Sequence, residues 1–204
     1  MPIVQNGALN VSRETEDRLK AFASLLAKWT RSINLIAPNS VQDLWDRHIL
    51  DCAQIYDLAP PTWKSWTDIG SGGGLPAVVV AILDVEQRPI TLVESDQRKC
   101  QFLKTAKREL DLNLSVHTAR IDDISIPGSD ILSARALAPL ADLLSFSGNL
   151  LSADGVALFP KGARHHEEIV KARKTYDFDV ICHPSHTHID AAILEISRIR
   201  SREH

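Results

Sequence analysis

Apolar side chains recur at three- and four-residue steps near the start of the chain, at Leu19, Phe22, Leu26, Trp29 and Ile33. That spacing puts them on one face of a helix, and Ser12 is a good cap, so a helix is predicted over 12–33. A second is predicted from Ser40 to about Tyr56, with Val41, Leu44, Trp45, His48, Ile49 and Cys52 on one face. Pro60-Pro61 closes this helical part. Beyond it the periods alternate. Strands are predicted over 65–69, 90–94, 114–118, 129–133 and 155–160, and helices over 75–84, 96–111, 139–150 and 164–174. Such alternation implies an α/β fold, a mostly parallel sheet covered on both faces. The end breaks the rhythm: Tyr176–Cys182 and Ala191–Ser197 both read as strands, with only the loop Pro184-Ser185-His186-Thr187-His188 nearby. An antiparallel hairpin is therefore expected to end the sheet. Residues 1–60 read as an N-terminal helical extension packed on the sheet, and 61–204 as the ligand-binding domain, together one compact unit.

Four of the nine glycines fall in Asp68-Ile69-Gly70-Ser71-Gly72-Gly73-Gly74-Leu75-Pro76. A strand enters this stretch and a helix leaves it. Glycine has no Cβ and accepts positive φ, so a ligand can approach the backbone there, next to the free N–H groups of a helix start. Plain strand–helix connectors can look the same. Two carboxylates favour a cofactor site: Asp68 ends the incoming strand, and Glu94 ends the next one, 24 residues after Gly70. That is where doubly wound folds place an acid for ribose hydroxyls. A nicotinamide fold would show Gly-x-Gly-x-x-Gly and continue with parallel units. Here the order is Asp-x-Gly-x-Gly-x-Gly and the sheet ends antiparallel, which resembles the class I, Rossmann-like methyltransferases that bind S-adenosylmethionine. Asp68 suits a cationic amino group, whereas a pyrophosphate gains nothing from it.

Bulk properties narrow the setting. At 204 residues, with 44% hydrophobic and 24% charged positions, the chain has ample core material for one domain. No apolar run reaches membrane-span length, and Met1-Pro2-Ile3-Val4-Gln5-Asn6 shows no secretory signal, so a cytoplasmic protein is expected. Cys52, Cys100 and Cys182 form neither a metal spacing nor a disulfide framework. A net charge of −3 excludes general coating of nucleic acid, leaving local patches: Arg98 to Arg108, Lys161 to Lys174, and Arg198, Arg200 and Arg202.

Three further segments carry a closer resemblance: Lys28-Trp29-Thr30-Arg31-Ser32-Ile33-Asn34-Leu35 followed by Trp45-Asp46-Arg47-His48-Ile49-Leu50-Asp51; Ser133-Ala134-Arg135-Ala136; and Pro160-Lys161-Gly162. With the glycine turn they resemble the RsmG (GidB) family of 16S rRNA methyltransferases, over about residues 17–198. The resemblance implies a seven-stranded methyltransferase sheet. It implies methyl transfer from S-adenosylmethionine to N7 of a guanine in the 530 loop of small-subunit rRNA, by a monomer with no obligate protein partner. Carried over, Gly70, Leu75, Ile121 and Asp122 would contact the cofactor and Arg135 would lie beside it; the reading of the turn adds Asp68, Ser71, Gly72, Gly74 and Glu94 to the cofactor-binding set. Arg120, Arg135 and Lys161 would form a basic rim for RNA, with Arg135 at the reaction centre. Leu75-Pro76-Ala77 stands where the family often has Phe-Pro-Gly, Cys52 where Ser is common, and His188-Ile189-Asp190 where many members carry an arginine.

The chemistry asks little of the protein, because guanine N7 already has an in-plane lone pair and needs no base. No convincing nucleophile or base constellation is visible, and alignment is expected to dominate. Arg135 reads as a contact to guanine O6 or a phosphate; the bland alternative is a salt bridge to a carboxylate such as Asp68. Arg120 and Lys161 read alternatively as exposed loop charges. His48 reads as a core histidine bonded to Asp51 or backbone. Trp29 and Trp45 read as core anchors rather than base-stacking platforms. His183, His186 and His188 lack a standard metal-ligand partner, so no metal is expected. The competing functions are the same fold acting on another RNA or a small molecule, a non-catalytic RNA-binding module, and a nicotinamide oxidoreductase.

Overall fold

The computed structural model describes residues 3–5 and 8–202; Met1, Pro2 and Asn6 of the amino-terminal segment lie outside the described residues. Two short strands, β1 (Val4–Gln5) and β2 (Ala8–Leu9), pair antiparallel. The Asp57 carboxylate pins them by accepting from the backbone N–H groups of Ile3 and Val4 at 2.8 and 3.1 Å. Two residues per strand leave no periodicity from which the sequence could show this hairpin. Helix α1 (Arg13–Thr30) starts where Ser12 caps it, its hydroxyl accepting from Thr15 N at 3.1 Å. Leu19, Phe22 and Leu26 are fully buried, each worth about 1.5–3 kcal/mol of apolar transfer. Trp29 packs edge-on against Phe102, ring centroids 5.7 Å apart, and Trp45 lies partly buried against the same core, so both are anchors.

The second predicted helix is corrected. Pro38–Ser40 is a 3-10 turn, Trp45–Leu50 is π-helical, and only α2 (Asp51–Leu58) is regular. Ser40 opens no helix because its hydroxyl is consumed elsewhere, donating to Ala37 O at 2.7 Å and accepting from His48. The apolar spacing cannot separate the α period from the wider π period over six residues.

The alternating part follows the sequence reading closely. Its elements are β3 (Trp66–Ile69), α3 (Ala77–Leu83), β4 (Ile90–Glu94), α4 (Gln97–Glu109), β5 (Leu114–Thr118), β6 (Ser129–Ser133), α5 (Leu140–Leu150), β7 (Leu151–Lys161), α6 (His165–Ala172), β8 (Tyr176–Pro184) and β9 (Ala192–Ser201). Seven strands form one sheet in the order β5-β4-β3-β6-β7-β9-β8. Pairing is parallel from β5 through β7, and β9 runs antiparallel to both neighbours, as the terminal hairpin requires.

One core cluster joins α1 and α2 to α3, α4 and the sheet, while a second lies under α5 and α6. The extension thus has no separate core: its Leu19, Phe22, Cys52 and Ile55 belong to the same cluster as Val78, Phe102 and Leu103. A polar clasp fastens the junction. The buried Asp84 carboxylate receives Arg88 Nη2 at 2.6 Å and Arg88 N at 2.7 Å. The Arg88 guanidinium stacks 3.8 Å from the Trp63 ring centre and donates to Trp63 O. No helix among the described residues is long and apolar enough to cross a membrane.

Candidate active site

The glycine turn leaves the C-terminal end of β3, an interior strand between β4 and β6, where open α/β sheets hold ligands. Gly70 and Gly74 adopt φ of +64° and +76°, which side chains resist. A Cβ on Gly70 would lie 2.5 Å from Leu137 Cδ1, and one on Gly74 would lie 2.5 Å from Val78 Cγ2. The turn is braced from β4: Gly70 N donates to Val93 O at 2.8 Å, and the Glu94 carboxylate accepts from Gly72 N at 2.9 Å and Asp96 N at 2.8 Å. Ser71 is buried and donates inward to the Asp68 carbonyl at 2.9 Å, while Leu75 packs into the core. After β5, Ile121–Asp123 forms a 3-10 turn with Ile121 half-buried and Asp122 exposed.

Beneath the turn, Asp68 is fully buried. Its Oδ1 accepts from Ser133 Oγ at 2.6 Å, and Ser133 in turn accepts from Trp66 Nε1 at 2.8 Å. Asp68 Oδ2 is the buried side-chain atom left without a hydrogen bond among the described residues. Burial pushes the Asp68 carboxyl up to about 7, and Glu94 adds to the rise, against the Ser133 hydrogen bond.

Beside the turn, a cleft of about 890 Å³ opens between the Trp45–Leu50 segment, the loop after β6, the end of β7, α6 and the hairpin loop. Ala136, at φ +53°, reverses the chain after Arg135 so that Leu137 returns over Gly70. Leu137 therefore touches the glycine turn and also lines the cleft.

The two most specific motifs of the sequence meet at Arg135. Its Nη2 donates to Arg47 O at 3.0 Å and to His48 Nδ1 at 2.8 Å, and its Nε lies 3.4 Å from Asp51 Oδ2. Arg135 thus pairs with Asp51 and not with Asp68, because the loop after β6 turns toward the extension. Arginine only donates, so His48 Nδ1 accepts; the ring proton sits on Nε2 and goes to Ser40 Oγ at 2.8 Å. The expected partners of His48, Asp51 or backbone, are thereby replaced by Arg135 and Ser40. Burial, then the charges of Arg135 and Arg47, lowers His48 to about 4, so the ring is neutral at pH 7. The neighbouring Cys52 thiol is pushed up to about 12 by burial.

Asp51 also ties the extension to the terminal hairpin. Its Oδ1 accepts from Thr187 Oγ1 at 2.8 Å and Gln54 Nε2 at 3.0 Å, and Gln54 Oε1 accepts from His186 N at 2.9 Å. His183 bonds Glu195 at 2.7 Å, and no group of three side chains placed to hold a metal ion occurs among the described residues.

The expected cationic rim is rearranged. Arg135 and Lys161 line the cleft, but Arg120 does not; it is exposed beyond β5, at the opposite edge of the sheet. Lys161 is no loose charge: its Nζ donates to Glu168 Oε2 and to Ala138 O, both at 2.8 Å. The exposed cations around the cleft are Arg47, Arg164 and Lys171. Two of these lie in the basic run from Lys161 to Lys174, and Arg47 stands inside the Trp-x-Arg-His segment, yet no spacing singled them out.

The family described as rRNA small subunit methyltransferase G matches residues 15–196. A ribosomal RNA small subunit methyltransferase G from Cereibacter sphaeroides is 46% identical over 192 residues, covering 93% of this chain and 92% of that protein. One from Ruegeria sp. is 47% identical over 197 residues, covering 95% and 96%. The O-methyltransferase from Bacillus cereus in complex with SAH shares the fold at a TM-score of 0.59 and 10% identity, over 89% of this chain and 91% of that one. The chain belongs to the rRNA small subunit methyltransferase G family.

Proposed function

We propose that this protein transfers a methyl group from S-adenosylmethionine to N7 of a guanine in the 530 loop of small-subunit rRNA. The observation that carries the reading is Leu137: it rests on the bare backbone of Gly70 and lines the cationic cleft, so the two sites share a wall. The turn fits the methyl donor. It offers open backbone at Gly72, where a Cβ would meet only Gly70 O at 3.6 Å, an acidic clamp in Glu94, and an unpartnered carboxyl oxygen on Asp68 for a cationic amino group. Ile121 and Asp122, on the turn after β5, would border the adenine.

When bound, S-adenosylmethionine supplies the electrophilic methyl: the N7 lone pair forms the new N–C bond, and the electrons of the broken C–S bond stay on sulfur. No proton must be removed, and the buried or half-buried titratable groups of the cleft are all engaged. His48 is the cleft's one buried histidine, and both its nitrogens are engaged, by Arg135 and Ser40. Asp51 and Glu168 are bound to Arg135 and Lys161. Alignment of the reacting atoms therefore carries the rate. Arg135 holds the Trp45–Leu50 wall in place and presents the remaining guanidinium edge to guanine O6 or a phosphate. Arg47, Arg164 and Lys171 supply backbone attraction that positions the loop without reading its sequence.

The test is methyl transfer to small-subunit rRNA, free and in assembled subunits, with aniline cleavage to locate N7-methylguanosine. Arg135→Ala should lower methylation more than cofactor affinity. Methylation at another atom, or on neither substrate, refutes the assignment; equal losses assign Arg135 to the cofactor or the fold.

A further inference from the structure

Ser133 opens the Ser-x-Arg-Ala segment, yet it reaches neither the cleft nor solvent. It is the last residue of β6, fully buried and opposite Asp68 in the β3–β6 register. The direction of its hydrogen bonds is fixed by elimination. The Trp66 indole can only donate, so Ser133 Oγ accepts from it at 2.8 Å. Its single proton must then serve Asp68 Oδ1, at 2.6 Å. Oδ1 is thus an acceptor in both protonation states of Asp68. A protonated Asp68 carries its proton on Oδ2, the buried atom without a partner among the described residues.

The groups facing Asp68 explain why this proton is exchangeable. Glu94 on β4 is a second acid, the Cys52 thiol on α2 is neutral, and the Ser71 hydroxyl is spent on the Asp68 carbonyl. None of them neutralises a charge on Oδ2. A buried carboxylate without a counter-charge is costly, and an incoming cation removes that cost.

We propose that Ser133, itself held by Trp66, is a positioning residue that reserves Asp68 Oδ2 for the cationic amino group of the methyl donor and makes binding release the Oδ2 proton. The balance is simple: Oδ2–H gives its proton to the buffer, and the ammonium group takes its place beside the carboxylate, with no bond to carbon changed. This inference rests on the S-adenosylmethionine reading. The carboxyl titrates near pH 7, so below that pH each unit should weaken binding by up to about tenfold. Removing the Ser133 hydroxyl removes a hydrogen bond that favours the anion, so the acid limb should move to higher pH by about one unit.

The experiment is calorimetric titration with S-adenosylhomocysteine, which keeps the amino-acid moiety, from pH 6 to 8.5. Two buffers of different ionisation enthalpy count the protons released. Wild-type protein should release close to one proton at pH 6 and progressively less above pH 7. Ser133→Ala should bind about tenfold more weakly at pH 6.5 and approach wild-type affinity near pH 8. Trp66→Phe, which keeps Ser133 but removes the indole donor, should shift the limb the same way by a smaller amount, and tests the relay if Ser133→Ala does not fold. A pH-independent loss in both variants makes Ser133 merely structural, and an unshifted limb or the absence of proton release in wild type also overturns the inference. Failure of the wild type to bind at any pH instead removes the cofactor reading, and the inference with it.

Discussion

The contact between Leu137 and Gly70 can be tested by adding one methyl group. In Gly70→Ala two costs arise together. The backbone stays at φ +64°, costing about 1–2 kcal/mol for a residue with a Cβ. The new Cβ also lies 2.5 Å from Leu137 Cδ1 and 3.0 Å from Cδ2. Leu137 is 37% exposed, so it can swing aside, at about 0.5–1.5 kcal/mol of rotamer strain. The sum is about 2–3 kcal/mol, or roughly a 5–10 °C fall in melting temperature for a chain of this size. Leu137→Ala should abolish the second cost, so in that background the glycine substitution should be about 1 kcal/mol milder. Gly148→Ala is the control: this exposed helical glycine has nothing within 4 Å of a built Cβ, and the change should stabilise by about 0.5–1 kcal/mol. Thermal melts of the four proteins of the cycle measure the coupling. Strict additivity would show that Leu137 does not sit on the turn, and the shared wall between the two sites would fall with it. The displaced Leu137 also enters the cleft, so Gly70→Ala should raise KM for RNA, an effect absent from Gly148→Ala.

Other outcomes follow from the polar interior. Arg88→Ala strands the buried Asp84 carboxylate and should cost about 3–5 kcal/mol in urea denaturation, with Asp84→Asn milder. His48 is depressed in the folded state, from 6.5 to about 4, so its neutral form favours folding at pH above 6.5. That share of stability should fade as pH drops from 6.5 toward 4, and His48→Gln should flatten the decline seen by denaturation at each pH. Lys161→Met should loosen the loop after β6, leaving it tied to α6 only through Leu140 N and Glu168, and raise KM for RNA several-fold while S-adenosylhomocysteine affinity stays near wild type.

The sheet was legible because strand and helix periods differ sharply and turn residues separate them. Asp68, Glu94 and the glycines were legible for the same reason: they punctuate an otherwise apolar pattern. What pattern could not supply was pairing across long sequence distances. Arg135 is legible as a strand-end cation, but its salt-bridge partner is not: the bland alternative names Asp68, and nothing local shows that positive φ at Ala136 turns the loop toward Asp51. Lys161 looks free in the sequence because Glu168 lies on the next element, α6, across a loop from the end of β7. The π-helical stretch was hidden because its apolar face fits either period. Arg120 was grouped with the cleft by strand-end position alone, and the strand order separates them.

The hydrogen bonds that Thr187 and His186 donate to Asp51 and Gln54 span more than 130 residues of chain. They make the two halves of the site unequal in time. During synthesis the glycine turn, its braces and the groups placed with the methyl donor have all emerged by Leu137, whereas the cleft lacks a wall until the last hairpin is made. A nascent chain would thus hold a methyl donor's site well before it has anywhere to seat RNA, and only the finished protein joins the two.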